Sequence, residues 1–527
     1  MLKSSGAMAA ATLTSRILGM VREMAYMAFM NVGWVNDAFQ YAFTVPNLFR
    51  RLLGEGALTA AFIPIFKEKE KIHGEAEMWR AANAVVSGLV VTASVIVAIV
   101  MLAISLALSL HHFPDKTELM LRLLRVMFPY MLLVCVAAAM MGMLNARGHF
   151  FIPAMGATML NVVMIASVYW LAPKFGTGLP ADQKLPVEIF ALAYGVLAAG
   201  MAQAAFQMPT LWKDGFRYHW VSPWRNETVR LVVIRMIPGT IGLAAFQINV
   251  ALVQLIGFFV ATGVVSSFNG AVRLMELPQG MFGISLATYL LPTLSGLAAE
   301  KNYPEFRATL RRGLSTLIFV NLISSVLLVT LAEPIVRLIY EHGKFTESST
   351  LRVAGALQYL APGLVMFSTV NILARAFYAL GDTQTPMKIS MLCLALNLAI
   401  AIIMLVPLHE EERGPALANS VTSCVNVASL LFALRKKMGK LEMQSLRTNT
   451  LLLVWLAVLA GIVSLMGWKF WEEKLGHTTI ALKIGAVFVP AIAAAIIYWA
   501  VAMAFKIPAA AEIFEFAAGR AARALKR

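Results

Sequence analysis

The chain has 527 residues, 59% hydrophobic and only 14% charged, with a mean hydropathy of +0.74 and a formal net charge of +16. Soluble domains carry about 25% charged residues, so a globule facing water on most sides is excluded. With no basic stripe interleaved with aromatics, nucleic acid does not explain the positive charge; cytoplasmic loops of membrane proteins, which gather Lys and Arg, do.

The apolar runs are continuous rather than alternating, which predicts helices and not the strands of a barrel. Each is long enough for a hydrocarbon core of roughly 30 Å. In chain order, spans are expected near residues 6–30, 36–66, 80–110, 119–144, 153–172, 187–211 and 229–260. They continue near 264–297, 310–332, 351–380, 387–407, 415–434, 449–468 and 479–505, about fourteen transmembrane helices in an all-α integral membrane protein. The start, Met1-Leu2-Lys3-Ser4, offers no small-residue cleavage site, so the first helix is expected to be retained. Past the last span, residues 508–527 combine Ile513, Phe514, Phe516 and Leu525 with a basic end, which suits either an interfacial helix or a solvated tail.

Charge sets the expected orientation. One set of loops holds Lys67, Lys69, Lys71, Arg80, then Lys213, Arg217, Arg225, Arg230, Arg235, then Lys301, Arg307, Arg311, Arg312. The same side takes Arg435, Lys436, Lys437, Lys440, Arg447 and the C-terminal cations, while the other shows scattered Lys174, Lys184, Lys344 and Arg413. Both termini are therefore expected in the cytoplasm of a multi-pass inner-membrane protein.

Two internal echoes recur in the same order. Asp37–Pro64 resembles Val265–Pro292, and Ala146-Arg147-Gly148 with Pro153 resembles Ala379-Leu380-Gly381 with Pro386. An even number of spans separates equivalent points, so two parallel repeats are expected, with a substrate site between them near the midplane. The expected divisions are residues 1–220 and 221–440 as six-helix bundles, and 441–527 as two extra spans with the C-terminal interfacial helix.

Charges inside the spans carry the functional information. Arg16 and Arg22 fall in the first span, Arg50 and Arg51 in the second, Arg273 in the eighth and Arg375 in the tenth. Each costs about 2.5–3.5 kcal/mol at the bilayer centre unless it faces water, so together they predict a hydrated cavity. The stretch Ile241–Gln254 of the seventh span is uncharged, which places most of the cationic lining in the N-terminal half. Arginine stays charged in low dielectric and matches phosphate oxygens with a fork of donors, which suggests a phosphate or pyrophosphate ligand. The plainer alternative is local pairing of Arg51 with Glu55, Arg273 with Glu276 and Arg16 with Glu23. Pro46, Gly54, Gly56 and Pro64 break the second span and Pro278, Gly280, Gly283 and Pro292 the eighth, at matching places.

Catalytic and metal signatures are missing: there is no G-x-x-x-x-G-K-[ST] and no H-E-x-x-H, and the eight histidines lie in loops or at span ends. Cys135, Cys393 and Cys424 show no Cys-x-x-Cys spacing. No cofactor and no metal is expected, and the chain is read as a transporter rather than an enzyme.

The runs S-R-I-L-G-M-V-R-E at Ser15–Glu23, D-A-F at Asp37–Phe39, P-N-L-F-R-R-L-L-G-E-G-A at Pro46–Ala57 and R-L-M-E-L-P-Q-G at Arg273–Gly280 resemble the MurJ (MviN) family of lipid II flippases. That resemblance implies the MOP exporter fold, with the two terminal spans forming a groove for a polyprenyl tail. It implies alternating access that carries lipid II, the undecaprenyl-pyrophosphate-linked muropeptide of peptidoglycan synthesis, from the cytoplasmic to the periplasmic leaflet. Substrate-binding roles carry over to Arg16, Arg22, Arg50, Arg51 and Arg273, with Asp37, Glu55 and Glu276 as acidic partners. Some relatives are credited with a monovalent-cation site in the second bundle; here Asn371 is followed a turn later by Arg375, which would repel a bound cation. Expected partners are lipid II and membrane lipids, with a monomeric chain and cell-wall synthesis proteins as candidates for association. Two alternatives stay open: export of another polyprenyl-linked glycan, and a membrane enzyme acting on polyprenyl phosphates.

Overall fold

The computed structural model describes residues 2–54, 57–224 and 226–512. Glu55, Arg225 and the stretch 513–527, including the expected interfacial helix, lie outside the described residues. Among those described, the regular structure is entirely helical. The helices are α1 (Leu2–Met30), α2 (Trp34–Phe49), α3 (Ala57–His73), α4 (Glu75–Leu110), α5 (Asp115–Met127), α6 (Tyr130–Ala146), α7 (Phe151–Ala166), α8 (Ala172–Phe175), α9 (Ala181–Lys213) and α10 (Glu227–Val260). They continue as α11 (Val264–Pro278), α12 (Ser285–Ala299), α13 (Tyr303–Thr330), α14 (Ala332–Tyr340), α15 (Glu347–Leu360), α16 (Gly363–Ala379), α17 (Gln384–Leu405), α18 (Arg413–Met438), α19 (Gln444–Lys474) and α20 (Ile480–Ala504).

Among the described residues, nine helical stretches are long and apolar enough to cross a membrane, and two bent pairs bring the number to as many as eleven. The bent pairs are α5 with α6, at 41°, and α15 with α16, at 46°. Proline sits at each bend, Pro129 and Pro362, where its missing N–H and its ring interrupt the helical ladder. The expected span 36–66 is broken where Arg50 and Arg51 interrupt the apolar run, and the ladder loosens there into a π turn at Arg50–Gly54. A second π turn, Gln279–Ile284, joins α11 to α12. Both follow a proline, Pro46 and Pro278, and both fall inside the first sequence echo.

The second echo is equally visible in the backbone. Gly148 and Gly381 take φ of +89° and +72°, and the N–H of the next residue, His149 or Asp382, reaches back 2.9 Å to the carbonyl of Leu144 or Phe377. This is the closing bond of a Schellman turn, which favours glycine at the left-handed position. Pro129 precedes Ala146 by the same number of residues as Pro362 precedes Ala379, so the bends recur at the same spacing from the two turns.

The contacts cluster into two units, residues 1–266 and 267–527. In the first, Phe39, Phe128, Tyr130, Met131 and Leu192 lie in a core built by α2, α5, α6 and α9. The outward residues of α4, Val95, Ile99, Leu102, Leu106 and Leu110, recur every three or four positions and are all exposed, a ridge suited to lipid rather than water. In the second unit, Leu294, Leu310, Leu314, Ile372, Phe377 and Leu434 form one core, and α19 and α20 pack on α13 through Phe319, Leu453, Ala457, Ala460, Ala494 and Tyr498. Small residues allow that close approach, and Tyr498 Oη donates to the Phe319 carbonyl at 3.0 Å, satisfying its one polar atom.

An ionic cluster ties α14 and α15 to the α19–α20 pair. Arg337, its side chain 4% exposed, reaches Glu333 at 2.8 Å, Glu472 at 3.2 Å and Glu341 at 3.4 Å. Lys483 meets Glu341 at 3.2 Å, and His477 contacts Glu472. Burial pushes the Glu341 carboxyl upward, but the Thr350 hydroxyl, Lys483 and Arg337 together bring it below the ordinary glutamate range.

Candidate functional site

The N-terminal arginines lie in the first unit, on α1 and on the π turn that follows α2. Arg22, on α1, is nearly buried; its Nη1 donates to Asn161 Oδ1 on α7 at 3.0 Å, its Nη2 lies 3.6 Å from Glu23, and the guanidinium stands 5.4 Å from the Tyr26 ring centroid. Asn161 is itself anchored, donating through Nδ2 to the Ser15 carbonyl at 3.2 Å. Its amide therefore fixes both α1 and the guanidinium that α1 carries. Arg16, two turns earlier, is exposed.

Arg50 and Arg51 open the π turn that follows α2. Arg50 Nε donates to Asn47 Oδ1 at 2.7 Å, and Arg51 Nη1 donates to Gln247 Oε1 of α10 at 3.2 Å. An amide acceptor orients a guanidinium without cancelling its charge, whereas a carboxylate would do both. A π turn shifts the side chains that follow it off the regular helical stripe, and such turns are frequent at functional positions. Glu55, the expected partner of Arg51, lies outside the described residues.

Asp37 occupies a different kind of position. It is fully buried, and its carboxylate accepts from the Gly263 N–H at 2.6 Å, the Ser266 N–H at 2.9 Å and the Ser266 hydroxyl at 2.8 Å. It thus caps the start of α11, where unsatisfied N–H groups and the helix dipole favour an anion. Lys116, 3.2 Å away, donates to the carbonyls of Phe258 at 2.6 Å and Ala261 at 3.2 Å, closing the end of α10, and lies over the Phe258 ring.

In the second unit, Arg273 pairs with Glu276 at 2.7 Å on α11, as their spacing predicts, with both side chains substantially exposed. Asn371 donates to the Phe367 carbonyl one turn back on α16, and Arg375 is half-buried on the same helix. Among the described residues, no group of three or more His, Cys, Asp or Glu side chains is placed to hold a metal.

Sequence reasoning passed over Asn161, Gln247, Ser266 and Lys116. The first three are uncharged polar residues inside apolar runs, and that feature was available as a signal: in hydrocarbon such groups need a partner.

Comparison with known proteins agrees with this architecture. A family model described as "Lipid II flippase MurJ" matches residues 26–485. A probable lipid II flippase MurJ of Rhizobium tropici is 32% identical over 502 residues, covering 93% of this chain and 92% of that protein. The lipid II flippase MurJ of Burkholderia cenocepacia is 31% identical over 436 residues, covering 81% and 82%. Among solved structures, a lipid II flippase MurJ in an inward closed conformation superposes with a TM-score of 0.74 at 23% identity, covering 94% of this chain and 99% of that one. An inward-facing multidrug resistance MATE transporter of the MOP superfamily superposes with a TM-score of 0.63 at 14% identity, covering 82% and 96%.

Proposed function

The chain belongs to the MurJ family of lipid II flippases, a family of membrane transporters and not enzymes, and from that membership we propose how it moves its substrate. The pyrophosphate of lipid II docks on Arg16, Arg22, Arg50, Arg51 and Arg273 in a hydrated cavity open to the cytoplasm. Two six-helix bundles, residues 1–220 and 221–440, then rock to expose it to the periplasm. The polyprenyl tail stays in lipid beside the two spans of residues 441–527. Fourteen spans, both termini in the cytoplasm, location in the inner membrane and a monomeric working unit complete the proposal.

The observation that carries this reading is the way the first unit holds its guanidiniums. Asn161 and Gln247, from other helices, accept from Arg22 and Arg51 and so hold these guanidiniums in place. Such donors, fixed before the ligand arrives, bind a doubly charged phosphate group without a further ordering cost. Glu276 beside Arg273 and Glu23 beside Arg22 temper the cavity charge so that the headgroup can also leave. Membrane potential is the proposed driving force, since one charge moved through 100 mV is worth about 2.3 kcal/mol.

The test is made in cells depleted of their own lipid II flippase and supplied with this chain or with Arg22→Ala or Arg51→Ala variants. Lipid II at the outer face is measured with a membrane-impermeant label. Exposure is expected with the parent chain and lost with either variant present at equal abundance; undiminished exposure with both variants would overturn the arginine mechanism.

A further inference from the structure

A second polar site lies within the 267–527 unit. Helices α13 and α19 pack together, and where both begin, close to residues following α20, they enclose a cavity of about 350 Å3. Three spans that start or finish together mark one face of the membrane, so this cavity opens at headgroup level.

Its lining is of both signs. Arg311, Arg312 and Glu305 come from α13, Ser445 and Asn449 from α19, and Glu512 from beyond α20. Arg312 holds Glu512 through Nε at 2.9 Å, leaving its terminal nitrogens on the other edge of the fork. Arg311 is steadied by donating from Nη1 to the Glu442 carbonyl at 3.0 Å. A cavity with equal numbers of guanidiniums and carboxylates does not favour a simple anion; it favours a ligand that carries its own cation beside its phosphate.

Farther along the same two helices the chemistry changes. An apolar cavity of about 330 Å3 is lined by Leu314, Ile318, Leu431, Met443 and Val454, and Leu446 lines both cavities. Polar mouth and apolar continuation thus meet at one side chain, which is the outline of an amphiphile.

We propose that this cleft binds an ethanolamine phospholipid, with its phosphate on Arg311 and Arg312, its ammonium on Glu305 and Glu512, and one acyl chain along the apolar cavity. A guanidinium fork suits phosphate oxygens, and a primary ammonium supplies the three donors that carboxylates and the Ser445 and Asn449 oxygens accept. A choline headgroup has no N–H to donate. A glycerol headgroup brings no cation and leaves both carboxylates facing a phosphate.

Native mass spectrometry of the full-length protein, offered equal amounts of phosphatidylethanolamine, phosphatidylcholine and phosphatidylglycerol, tests this. Retention of the ethanolamine lipid is expected to exceed that of the other two by about fivefold, the scale of one exposed ionic contact. Glu512→Gln and Arg312→Gln, at side chains exposed enough to leave folding intact, are expected to remove the preference. Leu446→Trp is expected to lower lipid retention by filling the junction while soluble phosphoethanolamine still binds weakly. Equal retention of the three lipids, preference for phosphatidylglycerol, an unaltered preference in the two polar variants, or soluble phosphoethanolamine competing on equal terms would each overturn the proposal.

Discussion

Asp37 and Lys116 meet at 3.2 Å and divide between them the two ends of one turn: the carboxylate takes the N–H groups that open α11, and the ammonium takes the carbonyls that close α10. Each group neutralises its partner and a helix terminus at once. In a buried setting that completeness decides whether an ion pair helps, because an unpaired member costs far more than the pair yields.

Asp37→Ala strips three hydrogen bonds and a charge from a fully buried site, and is expected to destabilise by about 3–5 kcal/mol. Lys116→Met leaves Asp37 with its three donors, so a smaller loss, about 1–3 kcal/mol, is expected. Thermal unfolding of both single variants and the double variant gives the coupling; additive effects would show that the two groups act independently.

Asn161→Leu removes a neutral acceptor and leaves the Arg22 charge in place. A hydrogen bond to a charged group is worth about 1.5–3 kcal/mol, so lipid II translocation is expected to fall by about tenfold or more with little change in abundance. Full activity in this variant would mean that Arg22 needs no orienting partner.

Arg337→Met leaves Glu333, Glu341 and Glu472 crowded around an uncharged side chain. A loss of about 3–5 kcal/mol is expected near neutral pH. Protonating the carboxylates relieves the repulsion, so the deficit relative to the parent chain should shrink as pH falls. A melting difference constant between pH 7 and pH 4 would refute this account.

Asp382 offers a pH test of the opposite kind. Lys437, donating at 2.7 Å, and the Thr385 N–H pull its carboxyl down to about 2. Because the folded value lies below the unfolded value of about 3.9, the stabilisation is fully present above pH 4. It disappears as pH falls through about 2. Asp382→Asn, which retains the cap on Thr385, should be less stable than the parent at pH 6 and equal to it near pH 2, as read by thermal unfolding in detergent.

Sequence and structure agree where the physics is local. Apolar length placed α4, α9 and α17 to α20 within six residues of their observed ends, and the local pairing of Arg273 with Glu276, the plainer alternative for that arginine, is what the structure shows. What escaped was non-local. Asp37 was expected, from the family resemblance, as an acidic partner of the arginines, but its contacts at Gly263 and Ser266 lie more than two hundred residues away and no spacing rule reaches them. The bends at Pro129 and Pro362 were invisible for another reason, since a proline in a long apolar run is compatible with a straight span, a kink or a break until its neighbours are packed. Asn161 and Gln247 were overlooked because a lone amide changes hydropathy too little to register beside arginine.

The paired Schellman turns have filled their surroundings differently. His149 meets Asp214 near the end of α9, whereas Asp382 meets Lys437 near the end of α18, so base and acid have traded places between the two turns. A chimera that grafts the first turn into the second would keep the backbone, because glycine stands at the left-handed position in both. It would nevertheless bring an imidazole against an ammonium, and the reciprocal graft would set two carboxylates face to face. Each turn and the helix end that faces it therefore form one electrostatic unit, and a graft succeeds only when both travel together.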